Sequence, residues 1–315
     1  MSTGRDLQVL DGDVSPAVRE VVLDAWRSST REAYARDVRL WHDHCQQRGL
    51  DPVADLVPVR ICEWLVEQSA SRGVATLRRR VASLSVWART LHRLDQVRSP
   101  LVRETLRGLA NRSTTPPRRA RPLTAHQLRR ALQLLASDER RSPRAEEQAR
   151  LRRDAAVLAV GWVTGLRRSE LAALRWGDVR AVELGLEVTV RRDKTSSTGR
   201  VVVIPRADGY LCPVRLLEAW RGDVTDASTS VFGLSDRSID RVVRTVAERL
   251  RLGPGYSAHS LRAGYVSAAA EAGVPEYEIA LQSGHRSVAV LRGYIREQDR
   301  WKPTGTRAVV RALER

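Results

Sequence analysis

The sequence predicts a mainly α protein with one small antiparallel β-sheet, an α+β chain divided into two domains. Three observations carry that expectation. Apolar residues recur at helical spacing along most of the 315 residues. The stretch from Val182 to Pro205 instead reads as two β-rich runs around a turn. A break rich in proline and arginine, before residue 123, separates a purely helical block from the block that holds those strands.

Residues 1–18 are polar, lack the apolar run of a signal peptide, and read as a flexible leader. From 19 to 112 the pattern is helical. Ser29-Thr30-Arg31-Glu32 reads as a capping box, and Tyr34, Val38, Trp41 and Cys45 follow as an apolar stripe that Gly49 can end. A second helix near 58–71 carries Ile61, Trp64, Leu65 and Val66. A third, near 75–94, carries Leu77, Val81, Leu84, Ala88 and Leu91, and a fourth runs near 101–111. Residues 113–122 place Arg118, Arg119 and Arg121 among Pro116, Pro117 and Pro122, which makes a basic linker.

The second domain spans 123–315. Thr124-Ala125-His126-Gln127 is another capping box, with helices near 146–164 and 169–175. The runs Val182–Arg192 and Arg200–Pro205 flank Lys194-Thr195-Ser196-Ser197-Thr198-Gly199, a set of turn formers, and read as a hairpin. Helical patterns return at 213–221, 236–250, 259–272, 275–283, 287–297 and 305–314.

The formal charge is +17, with 54 basic against 37 acidic residues. Such an excess suits a polyanionic partner, most simply nucleic acid. Arginine enrichment from a GC-rich coding sequence is the other account of the composition, but it does not explain the excess over acids. The linker can lie along a DNA backbone or be a solvated tether. Cys45, Cys62 and Cys212 have no C-x-x-C spacing and no zinc-like cluster, which points to reduced thiols in a cytosolic protein. No apolar run is long enough to expect a membrane span.

Six residues of the second domain carry chemistry together: Arg167 in Thr164-Gly165-Leu166-Arg167-Arg168-Ser169-Glu170-Leu171, then Lys194, His259 and Arg262 in His259-Ser260-Leu261-Arg262, His285 after Gly284, and Tyr294 after Gly293. Attack on a phosphodiester needs a nucleophile, cations on the non-bridging oxygens, and a proton for the leaving oxygen. Arginine binds two phosphate oxygens through its fork, lysine is a compact proton donor, and tyrosine can be a covalent nucleophile. Taken singly the motifs are weak. His126-x-x-Arg129 repeats the His-x-x-Arg spacing without partners, and Tyr294 alone fits a packing role. Lys194 stands out because only one other lysine, Lys302, occurs in the chain.

This order and spacing resemble the tyrosine site-specific recombinases, the phage integrase family, over roughly residues 20–315. In its two-domain layout and its ending, Gly293-Tyr294-Ile295-Arg296 and a short last helix, the chain is most similar to the Cre group. The resemblance implies that Arg167 and Arg262 hold the scissile phosphate, Glu170 orients the site, Lys194 is the general acid, and His259 accepts a proton or donates to phosphate. It further implies that His285 hydrogen-bonds the transition state and that Tyr294 attacks. The 23 positions from Arg262 to His285 and the nine from His285 to Tyr294 fit the pattern.

The implied fold is a helical core-binding domain and a catalytic domain closing as a C-shaped clamp on duplex DNA. Candidate DNA contacts are Arg31, Arg36, Arg39, Arg78, Arg79 and Arg80 in the first domain, Arg118, Arg119 and Arg121 in the linker, and Arg237, which matches a guanine-reading position. Each of these is also a plausible solvated arginine. The resemblance implies strand exchange through a 3′-phosphotyrosyl intermediate and a Holliday junction, without metal, ATP or other cofactor. The substrate would be double-stranded DNA carrying an inverted-repeat site. The partner would be a homotetramer joined through the exchanged helix 306–315, in a bacterial nucleoid, from a plasmid or phage. A catalytically idle DNA-binding protein of the same fold is the alternative.

Overall fold

A computed structural model describes residues 28–113, 120–191, 199–285, 291–292 and 312, and the statements below concern these. The chain divides into two compact units, Met1–Pro117 and Arg118–Arg315.

The first unit is all helix: α1 (Ser28–Gln47), α2 (Pro58–Ser69), α3 (Val74–Thr90), the single turn α4 (Leu94–Val97) and α5 (Pro100–Arg112). α1 is already helical at Ser28, so Ser29 lies inside it rather than before it. Gly49 ends it in the left-handed region at φ 66°, and Leu50 N–H returns to Cys45 O at 2.9 Å, as a glycine-terminated helix should. Trp41, Cys45, Ile61, Trp64, Leu65, Leu77, Leu84 and Trp87 form the core. Val66, the fourth apolar residue of α2, is half exposed.

The second unit is built around α7 (Ala145–Thr164), whose run from Leu151 to Gly161 is buried almost throughout. Its small residues let neighbours come close: a Cβ on Gly161 would stand 2.8 Å from Leu261 Cδ1 and 2.9 Å from Leu171 Cδ1. α6 (Ala125–Arg141) precedes it, with both halves of the Thr124–Gln127 capping box formed. Then come α8 (Arg168–Ala173), a 3₁₀ turn at Trp176–Asp178, strands β1 (Val179–Val182), β2 (Gly185–Val190) and β3 (Arg200–Pro205), and helices α9 (Pro213–Arg221), α10 (Asp236–Arg249), α11 (His259–Glu271) and α12 (Glu276–Ser283).

The sheet is antiparallel in the order β1-β2-β3. Spacing alone read Val182–Arg192 as one strand, whereas the chain reverses between β1 and β2. Gly185 permits that reversal: at φ 151° its Cα lies so close to β3 that a Cβ would meet Ile204 O at 2.1 Å. Leu186 pairs with Ile204 and Val188 with Val202, and all four face the core. The free edge of β3 is partly closed by α12, whose Gln282 amide donates to Val203 O and accepts from Val203 N–H.

Candidate active site

Three chain reversals converge on one spot of the second unit. The first is the end of α7. Gly165, left-handed at φ 61°, stops the helix, and a side chain there would strike the Tyr265 ring at 2.8 Å. The reversal puts Arg167 at the N-cap of α8. Glu170, one turn later, accepts from the Arg167 backbone N–H and from its Nη1, both at 2.8 Å.

The second is the start of α11, which carries His259 and Arg262 one turn apart. Asp240 Oδ1 accepts from Ala258 N–H at 2.9 Å and anchors this end. From the other side Leu123 N–H donates to Ser260 O, and Trp162 Nε1 donates to Leu123 O. Gly264 leaves room for that crossing segment. The third reversal is the end of α12, where Gly284 is left-handed at φ 69° and delivers His285.

The side chains then interlock. Arg262, with 2% of its surface exposed, donates through Nη1 to Gly165 O at 2.8 Å and to Ser283 O, and through Nε to His285 Nε2 at 3.3 Å. Arg167 Nη2 donates to Gly284 O at 2.9 Å. Ser283 spends its own proton on Ile279 O, so its oxygen is the acceptor for His285 Nδ1–H at 2.7 Å. That pattern defines a neutral imidazole protonated on Nδ1. Burial first, then the charges of Arg262 and Arg167, push the His285 pKa down to about 3. His259 is exposed at the rim, yet its pKa is also lowered, by desolvation and then by Arg262, Arg167 and Arg168. Burial works against the Glu170 charge, but the Arg200 hydrogen bonds and the Arg167 N–H outweigh it and hold its pKa below the usual carboxylate value.

Five residues expected at the site, Arg167, Glu170, His259, Arg262 and His285, are thus brought together. Lys194 and Tyr294 lie outside the described residues, as do Arg118 and Arg119. The residues beside them are fixed. Arg191, three positions before Lys194, bonds Asp178 Oδ1 through Nε at 2.6 Å. Leu291 is buried with Val266 and Ile279, and Arg292 pairs with Glu276, just before Tyr294.

Sequence reasoning missed Arg200. Its fork meets both Glu170 oxygens, Nη1–Oε1 at 3.1 Å and Nη2–Oε2 at 2.9 Å. The signal was present: Arg200 shares the inward phase of β3 with Val202 and Ile204, so it is a charge at a core position.

Of the proposed DNA contacts, Arg36, Arg39, Arg78 and Arg237 are exposed and Arg31 is half-buried. Arg80 is corrected. It is 4% exposed, stacks on Trp64 at 5.5 Å and donates to Gln68, so it serves the core of the first unit. Arg79 is drawn inward by the buried Asp37, 2.9 Å away. Arg121 is no free tether: its N–H donates to Gly255 O, its Nη1 to Leu252 O, and its guanidinium lies over Tyr256.

The family model described as "Phage integrase family" matches residues 123–300, more than half of the chain and all of this site. The chain belongs to the phage integrase family. An integrase/recombinase XerD homolog from Selenomonas ruminantium is 27% identical over 297 residues, covering 87% of this chain and 83% of that protein. Among solved structures, XerH site-specific recombinase bound to a palindromic difH substrate superposes with a TM-score of 0.64 at 15% identity, covering 87% of this chain and 80% of that one. A λ integrase tetramer bound to a Holliday junction gives 0.62 at 18% identity, covering 91% and 77%. These likenesses establish the integrase fold for both helices and sheet. Among the described residues no helix is long and apolar enough to cross a membrane.

Proposed function

We infer that the chain is a site-specific DNA recombinase that cuts and rejoins duplex DNA through a 3′-phosphotyrosyl intermediate and a Holliday junction. The convergence of Arg167, Arg262, His259 and His285 in a phage integrase domain is the observation that supports it most. In this reading the Tyr294 oxygen attacks phosphorus, the 5′ oxygen leaves and takes a proton from Lys194, and a second 5′ hydroxyl reverses the step. One phosphate ester replaces another, so no external energy source is required. Arg167 and Arg262 bind the non-bridging oxygens through forks already aimed by carbonyl and carboxylate acceptors. His259 takes the tyrosine proton or donates to phosphate, and His285 hydrogen-bonds the transition state. The chemistry is that of type IB topoisomerases, and neither metal nor ATP takes part.

Further parts of the reading rest on sequence and likeness. The substrate carries inverted-repeat half-sites. Four copies assemble on synapsed DNA, and residues 306–315 dock in trans on a neighbour. The layout is that of the Cre group, and the host is a bacterium, with a plasmid or phage as the gene's carrier. Residues 19–112 and 123–315 act as core-binding and catalytic domains around the 113–122 linker. Arg31, Arg36, Arg39, Arg78 and Arg237 contact DNA.

Suicide-substrate trapping tests the reading. The protein is incubated with nicked DNA bearing inverted repeats from its own genomic neighbourhood, without divalent metal. A covalent band on a denaturing gel that Tyr294→Phe loses is the expected result. Protection of a site without any covalent band would overturn it in favour of an idle DNA-binding protein.

A further inference from the structure

The Arg200–Glu170 pair is built differently from the surface ion pairs of this chain. Both partners are largely withdrawn from solvent, with side chains 23% and 10% exposed, and the contact is a full fork onto two oxygens. Bidentate geometry fixes orientation as well as distance. Arg200 Nη2 also lies 3.4 Å from Ser283 O, so β3, α8 and the end of α12 meet on one guanidinium.

The packing around that guanidinium is unusually close. A Cβ on Gly284 would stand 2.5 Å from Arg200 Cζ, so the turn that delivers His285 can lie on Arg200 only because it is glycine. Among the described residues Arg200 Nε is buried with no hydrogen-bond partner, so the tie rests on its two terminal nitrogens. The remaining contacts lead to the phosphate-binding groups. Glu170 holds Arg167 by side chain and backbone, Arg167 holds Gly284 O, and Ser283 O is shared with Arg262.

We propose that Arg200 is a positioning residue for the recombination reaction: acting through Glu170 and the Ser283–Gly284 turn, it holds Arg167 and His285 in the geometry that receives the scissile phosphate. This deepens the recombinase reading and rests on it. In this role Arg200 acts through Glu170, whose two oxygens its fork meets, and not on the phosphate. Its removal leaves Glu170 desolvated with Arg167 alone. The carboxylate then swings toward Arg167 or takes up a proton, and either outcome spoils the aim of Arg167.

The test compares wild type, Arg200→Gln, Arg200→Lys, Glu170→Gln and the Arg200→Gln/Glu170→Gln double variant. DNA affinity is measured by gel shift, and single-turnover formation of the covalent complex on the nicked substrate is followed from pH 5 to 9. For Arg200→Gln the cleavage rate falls 10²- to 10³-fold while the DNA dissociation constant changes less than threefold. Its acid limb moves toward neutral pH, because the Glu170 pKa is no longer held down. The double variant is no slower than the slower single, as expected when one residue acts through the other. Arg200→Lys keeps the charge and most of the packing but not the fork, so it recovers only part of the rate. It stands in if Arg200→Gln melts at a markedly lower temperature.

A rate within twofold of wild type, a defect confined to DNA affinity, or losses that multiply in the double variant would each overturn the proposal. Failure of wild type to form any covalent complex would instead sink the recombinase reading beneath it. The controls Tyr294→Phe and wild type, run in parallel, tell the two failures apart.

Discussion

Arg262 donates through Nε to His285 Nε2 across 3.3 Å, and this contact works only while His285 is neutral. An imidazolium would carry N–H on both nitrogens, facing the arginine on one side and Ser283 on the other. The folded-state pKa, about 3, lies below the ordinary 6.5. The unfolded chain therefore binds the extra proton first, so this contribution to stability is complete above pH 6.5 and is lost as pH falls toward 3. His259, shifted the same way, adds to the trend. Because the site is partly open to solvent, the loss between pH 7.5 and pH 4.5 is about 1–2 kcal/mol for His285. Urea unfolding at the two pH values measures it. His285→Gln should flatten the dependence, and an equal slope in that variant would show that other groups carry it.

Gly264→Ala tests the crossing beneath α11. A Cβ there would stand 2.1 Å from Leu123 O and 2.6 Å from Trp162 Nε1. Neither can yield without breaking the Trp162–Leu123 and Leu123–Ser260 hydrogen bonds that set the start of α11. The substitution should cost about 1–3 kcal/mol by overpacking, read as a lower midpoint in thermal or urea unfolding. Covalent-complex formation should fall with it, because Arg262 sits on the displaced turn.

In the first unit, neighbouring arginines divide between fold and proposed DNA binding. Asp37 is fully buried and accepts from Arg79 and Ser83, with Arg80 Nε 3.9 Å away. Asp37→Ala leaves the buried Arg80 without its counter-ion and should cost about 3–5 kcal/mol. Arg36→Ala and Arg78→Ala remove exposed charges and should change stability by less than about 0.5 kcal/mol. If each meets a phosphate, either change lowers the slope of log affinity against log salt by about 1. Fluorescence anisotropy with duplex DNA at three salt concentrations decides this. An unchanged slope would place both residues off the DNA.

The helical blocks were legible because their stripes repeat at helical spacing over many turns, as at Trp41, Ile61, Trp64, Leu77 and Leu84. The Thr124–Gln127 box and Gly49 were legible because their chemistry is local. The β1–β2 reversal was not, since Val182, Leu184, Leu186, Val188 and Val190 alternate as in a single strand and only the approach of Ile204 O reveals the turn. Arg80 misled because three consecutive arginines look like one surface, although successive helix positions point about 100° apart and two of them, Arg79 and Arg80, turn toward Asp37. The motif arginines and histidines were visible by spacing. Arg200 and Ser283 were not, because their importance lies in which backbone carbonyl and which carboxylate they meet after folding.

Residues 306–315, which the sequence reads as a last helix, include Ala308, Val309, Val310 and Leu313, enough for an apolar face. Ten residues cannot hold a helix in water without docking. If that docking is on a neighbouring copy, deleting residues 303–315 leaves affinity for a single site unchanged within about twofold, since no proposed DNA contact is lost. Assembly of two sites into one complex, read by native gel or analytical ultracentrifugation, should disappear, and strand exchange with it. If the segment docks within its own copy, the deletion exposes an apolar groove and lowers thermal stability while assembly on DNA survives. Recombination by the truncated protein at the wild-type rate would remove the segment from the mechanism altogether.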